Sequence, residues 1–472
     1  MRGKKMNYIS TRKGLSASCV ETVFQGLAPD GGLYLPSEIK PLEGVSALSS
    51  LADAERAVLS SLFADFPEEV REEAVMRLVS RFPAEDPVPL VKKGQFHYLE
   101  LFHGHTGAFK DVALSMLPVF MRYSAAGRRV LVLTATSGDT GSAAMQGFAG
   151  VDGAEIIVFY PATGTSRVQR LQMTTPSEPN VHAVGIRGNF DDAQSAVKRI
   201  FASKEIAAEA AAHSVALSSA NSINTGRLVP QIAYYIVAGA RLGCEFDVVV
   251  PSGNFGNILA AYYARRLGAR IRKLVVASNV NDVLHRFVES GIYDPGPNFT
   301  VTNSPSMDIR RSSNVERLLW ELNYEGDAVA ACAETSRLVS DLDSKGRYEL
   351  SPSAKEKLFA LFSGGVATPE ETEEEMRRVR EEASYLIDPH TAVGSFVARK
   401  ANMSADGVPC VIAATATPHK FPETCKRAFG GEVLGELPPA FSELFSLPEV
   451  QDRICDVGEM DSEVRRLFTA GR

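Results

Sequence analysis

The sequence predicts a doubly wound α/β protein preceded by a mainly helical N-terminal domain. Short, almost continuous apolar runs rich in β-branched residues recur along the chain, as parallel strands covered on both faces require. Between them lie segments of helical period, so strand and helix alternate. The first ninety residues lack that alternation and end in Pro83, Pro87 and Pro89, a cluster that marks a boundary.

From about residue 45 to 82, Leu48, Leu51, Ala54, Val58, Leu59, Leu62 and Phe63, then Val70, Ala74, Val75, Leu78 and Val79, recur at three- and four-residue spacing, the mark of amphipathic helices. Strands are expected at Val130–Thr134, Glu155–Tyr160, Val181–Ile186, Val215–Ser218, Asp247–Pro251, Lys273–Ala277 and Val408–Ala414, with helices at Asp192–Ala211, Leu228–Leu242 and Ile258–Leu267. Thr368-Pro-Glu-Glu371 reads as a helix start, with a capping threonine, proline at the first turn and glutamate at the third position. The charges of Glu370–Arg380 read as a solvated face. The expected division is residues 1–90 as the N-terminal domain and 91–472 as a second region, with a smaller α/β subdomain at about 125–215 inserted in a larger one.

Length and composition narrow the function. The 472 residues are 45% apolar and 23% charged, ordinary for a globular protein with a large core. No run approaches the roughly 18 apolar residues of a membrane span. A formal net charge of −7 repels a nucleic-acid backbone. The six cysteines are scattered without a C-x-x-C pair, which suits reduced thiols and a cytoplasmic protein. The basic start leads into no apolar segment, so no secretory signal is expected, and translation could begin at Met1 or Met6.

Three strand-to-helix junctions carry small polar residues. Thr136-Ser-Gly-Asp-Thr-Gly-Ser142 follows the first strand, Ser252-Gly-Asn-Phe-Gly-Asn257 follows 247–251, and Thr415-Ala-Thr-Pro418 follows 408–414. Free N–H groups at a helix start, with glycines permitting close approach, form an anion cradle. Several such loops at the carboxyl ends of strands favour one small phosphorylated or carboxylate ligand in the crevice there. Neither glycine loop fits the dinucleotide or nucleoside triphosphate fingerprint. Lys110 stands before the apolar segment Val112–Met121. Desolvation and a positive helix end would both lower its pKa, as an amine nucleophile that forms a Schiff base needs; a surface lysine paired with Asp111 is the plainer alternative. His103 and His105 lack a third ligand nearby, so no metal site is expected, and His390 and His419 are assigned no role.

At these residues the sequence resembles the threonine synthase family, pyridoxal-phosphate enzymes of fold type II (the tryptophan synthase β-like class). The likeness runs through Tyr8-Ile-Ser-Thr-Arg12, Gly26–Pro36, His105-Thr-Gly-Ala-Phe-Lys-Asp111, Ala135–Ala143, Ser219–Asn224, Ser252–Asn257, Ser304-Pro-Ser-Met-Asp-Ile309, Ser313–Arg317, Asp388–Gly394 and Thr415–Phe421. It implies pyridoxal 5'-phosphate bound through Lys110, its phosphate wrapped by Gly253, Asn254, Phe255, Gly256 and Asn257, and its pyridine nitrogen facing Thr415. Ser137, Gly138, Asp139 and Thr140 would line the substrate carboxylate end, and Ser222 and Asn224 would contact substrate phosphate or the cofactor rim. The implied reaction, the last step of threonine biosynthesis, converts O-phospho-L-homoserine and water to L-threonine and phosphate in a monomer or homodimer, with no nucleic-acid or membrane partner.

Two positions depart from the family pattern: Gly164 stands where a basic residue is usual, with Arg167 three residues on, and Thr417 stands where histidine is usual. They leave open a phospho-lyase that releases a keto acid, and a non-catalytic binding protein on the same scaffold is the further alternative.

Overall fold

The computed structural model describes residues 7–163, 165–431 and 437–469; the alternative starts at Met1 and Met6, and Gly164, lie outside them. Two sheets organise the molecule. The larger has six strands in the order Phe362–Val366, Ile271–Ser278, Phe246–Pro251, Cys410–Ala414, Phe96–Glu100 and Leu90–Lys93, all parallel except the last. The smaller is wholly parallel: Ile454–Asp456, Val181–Arg187, Ala154–Pro161, Arg129–Ala135 and Val215–Ser219. Their central strands are buried along their length, and helices cover them.

The N-terminal region holds a three-stranded antiparallel sheet (Asn7–Ser10, Ser16–Ser18, Tyr34–Pro36) and the expected helices Leu51–Leu62 and Glu68–Ser80. Its apolar face is not private. Phe63 meets Phe120 edge-on at 5.2 Å, and one continuous cluster runs from Tyr8 and Leu59 to Ile232 and Val248.

All seven expected strands are present, though the last starts at Cys410, after Pro409. The segment Asp192–Ala211 is two helices, Phe190–Ala202 and Lys204–Ala212, broken at extended Ser203, whose hydroxyl caps the second by accepting from Ile206 N at 3.3 Å. Leu228–Leu242 likewise divides at Pro230 into the single turn Thr225–Leu228 and the helix Gln231–Leu242. The helix Pro369–Ala383 begins with the expected capping box, but its charge run is not all solvated. Glu375 is buried and accepts hydrogen bonds from Ser395 (2.6 Å) and Arg399 (3.2 Å). The smaller sheet also extends beyond 125–215, because Ile454–Asp456 closes one edge.

Candidate active site

The carboxyl ends of both sheets meet around a cavity of about 640 Å³, within the size range of small-ligand sites. Lys110 opens the helix Lys110–Ser124 at its wall. The approach is pinned to the larger sheet: Phe109 N donates to Thr415 O at 2.9 Å, and Ala108 bridges Ala416. The lysine side chain is 13% exposed. Burial lowers its pKa against the opposing pull of Asp139, and the positive charges of Arg227 and Lys420 lower it further.

Asp139 is the electrostatic centre. One oxygen lies 3.1 Å from Lys420 Nζ and accepts from Gln169 at 2.9 Å; the other lies 3.6 Å from Lys110 Nζ and accepts from Ser306 Oγ at 3.0 Å. Burial alone would raise its pKa, but Lys420 and Lys110, with His390 and Gln169, outweigh it and hold the carboxyl well below the usual range. Lys420 is fully buried and also donates to Thr106 O (2.8 Å) and Gln172 Oε1 (3.2 Å). His390 accepts from Ser306 N at 3.1 Å, and its other ring nitrogen is held by Asp388 at 2.7 Å.

The loop after Phe246–Pro251 forms a second wall. Phe255 takes a left-handed backbone (φ 63°) just before the helix Gly256–Arg266, a strained choice for a bulky residue. Its ring is buried and packs against Phe362 at 6.0 Å, so backbone rather than ring serves the loop. At Gly253 a β-carbon would stand 2.5 Å from Ser306 O. Gly253→Ala should therefore displace the loop that carries the Ser306 contacts to Asp139 and His390, costing about 1–3 kcal/mol of stability and weakening cofactor retention. Thermal unfolding and cofactor release together check it.

These residues fit pyridoxal phosphate. They offer a desolvated amine, a glycine turn at a helix N-terminus, the amide Nδ2 of Asn257 buried without a partner, and a Thr415 hydroxyl that bonds no described residue. Ser137, Asp139, Thr140 and Ser222 also line the cavity. Asn224 is a correction: its amide donates to Val23 O (2.8 Å) and Ser219 O (3.0 Å) and accepts from Gly226 N (2.8 Å), capping a helix turn away from the cavity. Gly138 faces Gln169. The Asp139 side chain is committed to lysines, which suits it poorly for a carboxylate ligand and leaves that role to backbone amides of the first helical turn. Sequence reasoning missed Lys420, Arg227, Gln169 and Ser306 and assigned His390 no role. Lys420, Ser306 and His390 each stand in a segment that carries the family likeness, which was the only signal for them.

Three family models match in chain order: Threonine synthase N terminus over residues 7–81, Pyridoxal-phosphate dependent enzyme over 87–337, and Threonine synthase, C-terminal over 391–464. The curated threonine synthase of Pseudomonas aeruginosa is 38% identical, over 94% of each chain. That of Saccharomyces cerevisiae is 35% identical, over 90% of this chain and 89% of its own. The chain belongs to the threonine synthase family. The crystal structure of a PLP-bound threonine synthase from Brucella melitensis superposes with a TM-score of 0.90 at 38% identity, covering 98% of this chain and 100% of that one.

At the two departures from the threonine synthase pattern the neighbouring residues offer no substitute on the cavity. Arg167 stacks its guanidinium on the Phe445 ring at 5.0 Å. Thr417 is buried and shares a hydrogen bond of 2.9 Å with His419 Nδ1, and neither lines the cavity. His103 pairs with Glu100 (2.7 Å), and His105 bonds Arg81 O (2.7 Å).

Proposed function

We propose that this chain is a threonine synthase, converting O-phospho-L-homoserine and water to L-threonine and phosphate with pyridoxal 5'-phosphate. The observation that carries the reading is the amine of Lys110, desolvated and placed on the same cavity as the 253–257 loop and Thr415.

When bound, pyridoxal phosphate supplies an electron sink for charge that develops on the substrate carbons. Lys110 Nζ would be the amine that holds its aldehyde. Once freed, the same nitrogen is the base that takes and returns protons along the substrate. Asp139 holds that nitrogen and the charge of Lys420 in place, and Gln169 and Ser306 fix Asp139. Gly253, Asn254, Phe255, Gly256 and Asn257 would hold the cofactor phosphate, and Thr415 would offer a neutral hydroxyl to the pyridine nitrogen. Ser137, Thr140 and the backbone amides of Gly138 and Asp139 receive the substrate carboxylate, with Ser222 at the rim. We divide the chain into residues 1–90 and 91–472, and place it in the cytoplasm as a monomer or homodimer acting on a small molecule, without nucleic-acid or membrane partners. The acidic balance, the free cysteines and the lack of any described helix long and apolar enough to cross a membrane support this placement.

The test is to supply O-phospho-L-homoserine to the purified chain and follow threonine and phosphate. Stoichiometric release of both is the expected result. Phosphate accompanied by a keto acid, without threonine, would replace the reading with the phospho-lyase.

A further inference from the structure

The carboxylate nearest the Lys110 nitrogen is kept from closing on it. Asp139 Oδ2 lies 3.6 Å from Nζ, beyond hydrogen-bond length, while the same oxygen accepts from Ser306 Oγ at 3.0 Å. Its other oxygen is taken by Lys420 (3.1 Å) and Gln169 (2.9 Å). The charges that act most on the Lys110 nitrogen come from three elements: Asp139 on the helix Asp139–Phe148, Arg227 on the turn Thr225–Leu228, and Lys420 on the turn Pro418–Lys420. Burial and the two cations lower its pKa, and Asp139 pulls the other way. Whatever weakens the grip of Asp139 therefore favours the neutral amine. The Ser306 hydroxyl does so by donating to the oxygen that faces Lys110.

That hydroxyl is held in place through its own backbone. Ser306 is the middle residue of the tight turn Pro305–Met307 on the cavity wall. Its N–H donates to His390 Nε2 at 3.1 Å, so Nδ1 carries the ring hydrogen and donates it to Asp388 at 2.7 Å. Asp388 is fully buried and also accepts from His390 N (2.9 Å) and Thr391 N (3.0 Å), which locks it at the start of the helix Pro389–Lys400. The imidazole is buried and meets the Phe421 ring edge-on at 4.8 Å. From the other end of the turn, Asp308 Oδ1 accepts from Asn279 (2.8 Å), Asn281 (3.0 Å) and Thr302 Oγ1 (2.7 Å). The turn is thus secured without the Ser306 hydroxyl, whose partner among the described residues is Asp139.

We propose that Ser306 is a positioning residue whose hydroxyl keeps the Asp139 carboxylate from closing on the Lys110 nitrogen. The proposal deepens the functional reading above and rests on it. Without the hydroxyl, Asp139 Oδ2 keeps the ammonium as its partner, and the tighter pair retains the proton to higher pH. Attachment of pyridoxal phosphate joins the neutral amine to the aldehyde carbon with loss of water, so its rate reports how much of Lys110 is unprotonated.

Full-length Ser306→Ala and Ser306→Thr chains, stripped of cofactor and given pyridoxal phosphate across a pH series, test it beside wild type. In Ser306→Ala the attachment rate should level off about one pH unit higher than in wild type and fall roughly tenfold at neutral pH, with thermal unfolding little changed. Threonine keeps the hydroxyl, so Ser306→Thr should follow the wild-type profile. A Ser306→Ala profile that levels off at the wild-type pH or below it would overturn the proposal. So would an equal upward shift in Ser306→Thr, or a Ser306→Ala chain that does not fold, since either would make the serine a matter of packing. A wild-type chain that forms no lysine-bonded cofactor would instead sink the functional reading itself.

Discussion

Replacing Lys110 by alanine should give a folded protein that neither bonds pyridoxal phosphate covalently nor turns over. The substitution removes one cavity-facing amine at a helix start and no core volume, so thermal unfolding should stay near wild type. The lost nitrogen is both nucleophile and base, so turnover should fall by at least about a thousandfold. Absorption spectroscopy and a threonine assay check both, and an active variant that keeps the cofactor's lysine-bonded absorption would sink the assignment. A pH experiment on the wild-type chain tests the same nitrogen. Its pKa is lowered by burial, so the neutral amine forms at lower pH than in a solvated lysine. Covalent attachment of the cofactor should quicken as pH rises and level off before the solvated-lysine range; a rise continuing into it would contradict the dry site.

Asp139→Asn should be the most damaging single change to stability at the site. It strands two lysines, one fully buried, without the carboxylate between them. Removing one partner of a buried ion pair costs on the order of 3–5 kcal/mol. Because the folded pKa of Asp139 lies below the ordinary aspartate value, its contribution is complete above that value and is lost as pH falls through it toward the lowered one. Denaturant unfolding at neutral pH should show the full deficit, and the gap between variant and wild type should narrow in acid. Adding Lys420→Met to Asp139→Asn should recover part of the loss, because no buried charge then remains at 420. A deficit equal at neutral and acid pH would refute the electrostatic account.

The strands were legible because burial on both faces writes uninterrupted apolar runs such as Val248-Val-Val250 into the sequence. Phe362–Val366 escaped for the opposite reason: Ser363-Gly-Gly365 has no apolar signature, and the strand exists because Ile271–Ser278 offers it a parallel partner. The break at Ser203 was hidden inside an unbroken helical period, although serine is a capping residue. At the site, the two glycine loops and Lys110 announced themselves locally. The role of Lys420 did not, because what distinguishes it is the charge it faces across the fold: it meets an aspartate 281 positions earlier in the chain, and no spacing rule encodes such a pair. Asn224 misled because a polar residue in a family motif can serve the backbone, as it does in capping Thr225–Leu228.

The Arg317 guanidinium joins three segments distant in the chain. It reaches Tyr34 O in the N-terminal sheet, Ile223 O on the cavity rim, and Asn314, whose amide holds Asn254 O at 2.9 Å and Ser222 O at 3.3 Å. The opening seventy-odd residues are therefore not a detachable cap. A fragment trimmed back to the proline cluster would leave the Lys110 helix without its Phe63 neighbour and Arg317 without the Tyr34 carbonyl that steadies it beside Asn314. Shortening the chain from the front therefore removes packing that the catalytic region itself uses.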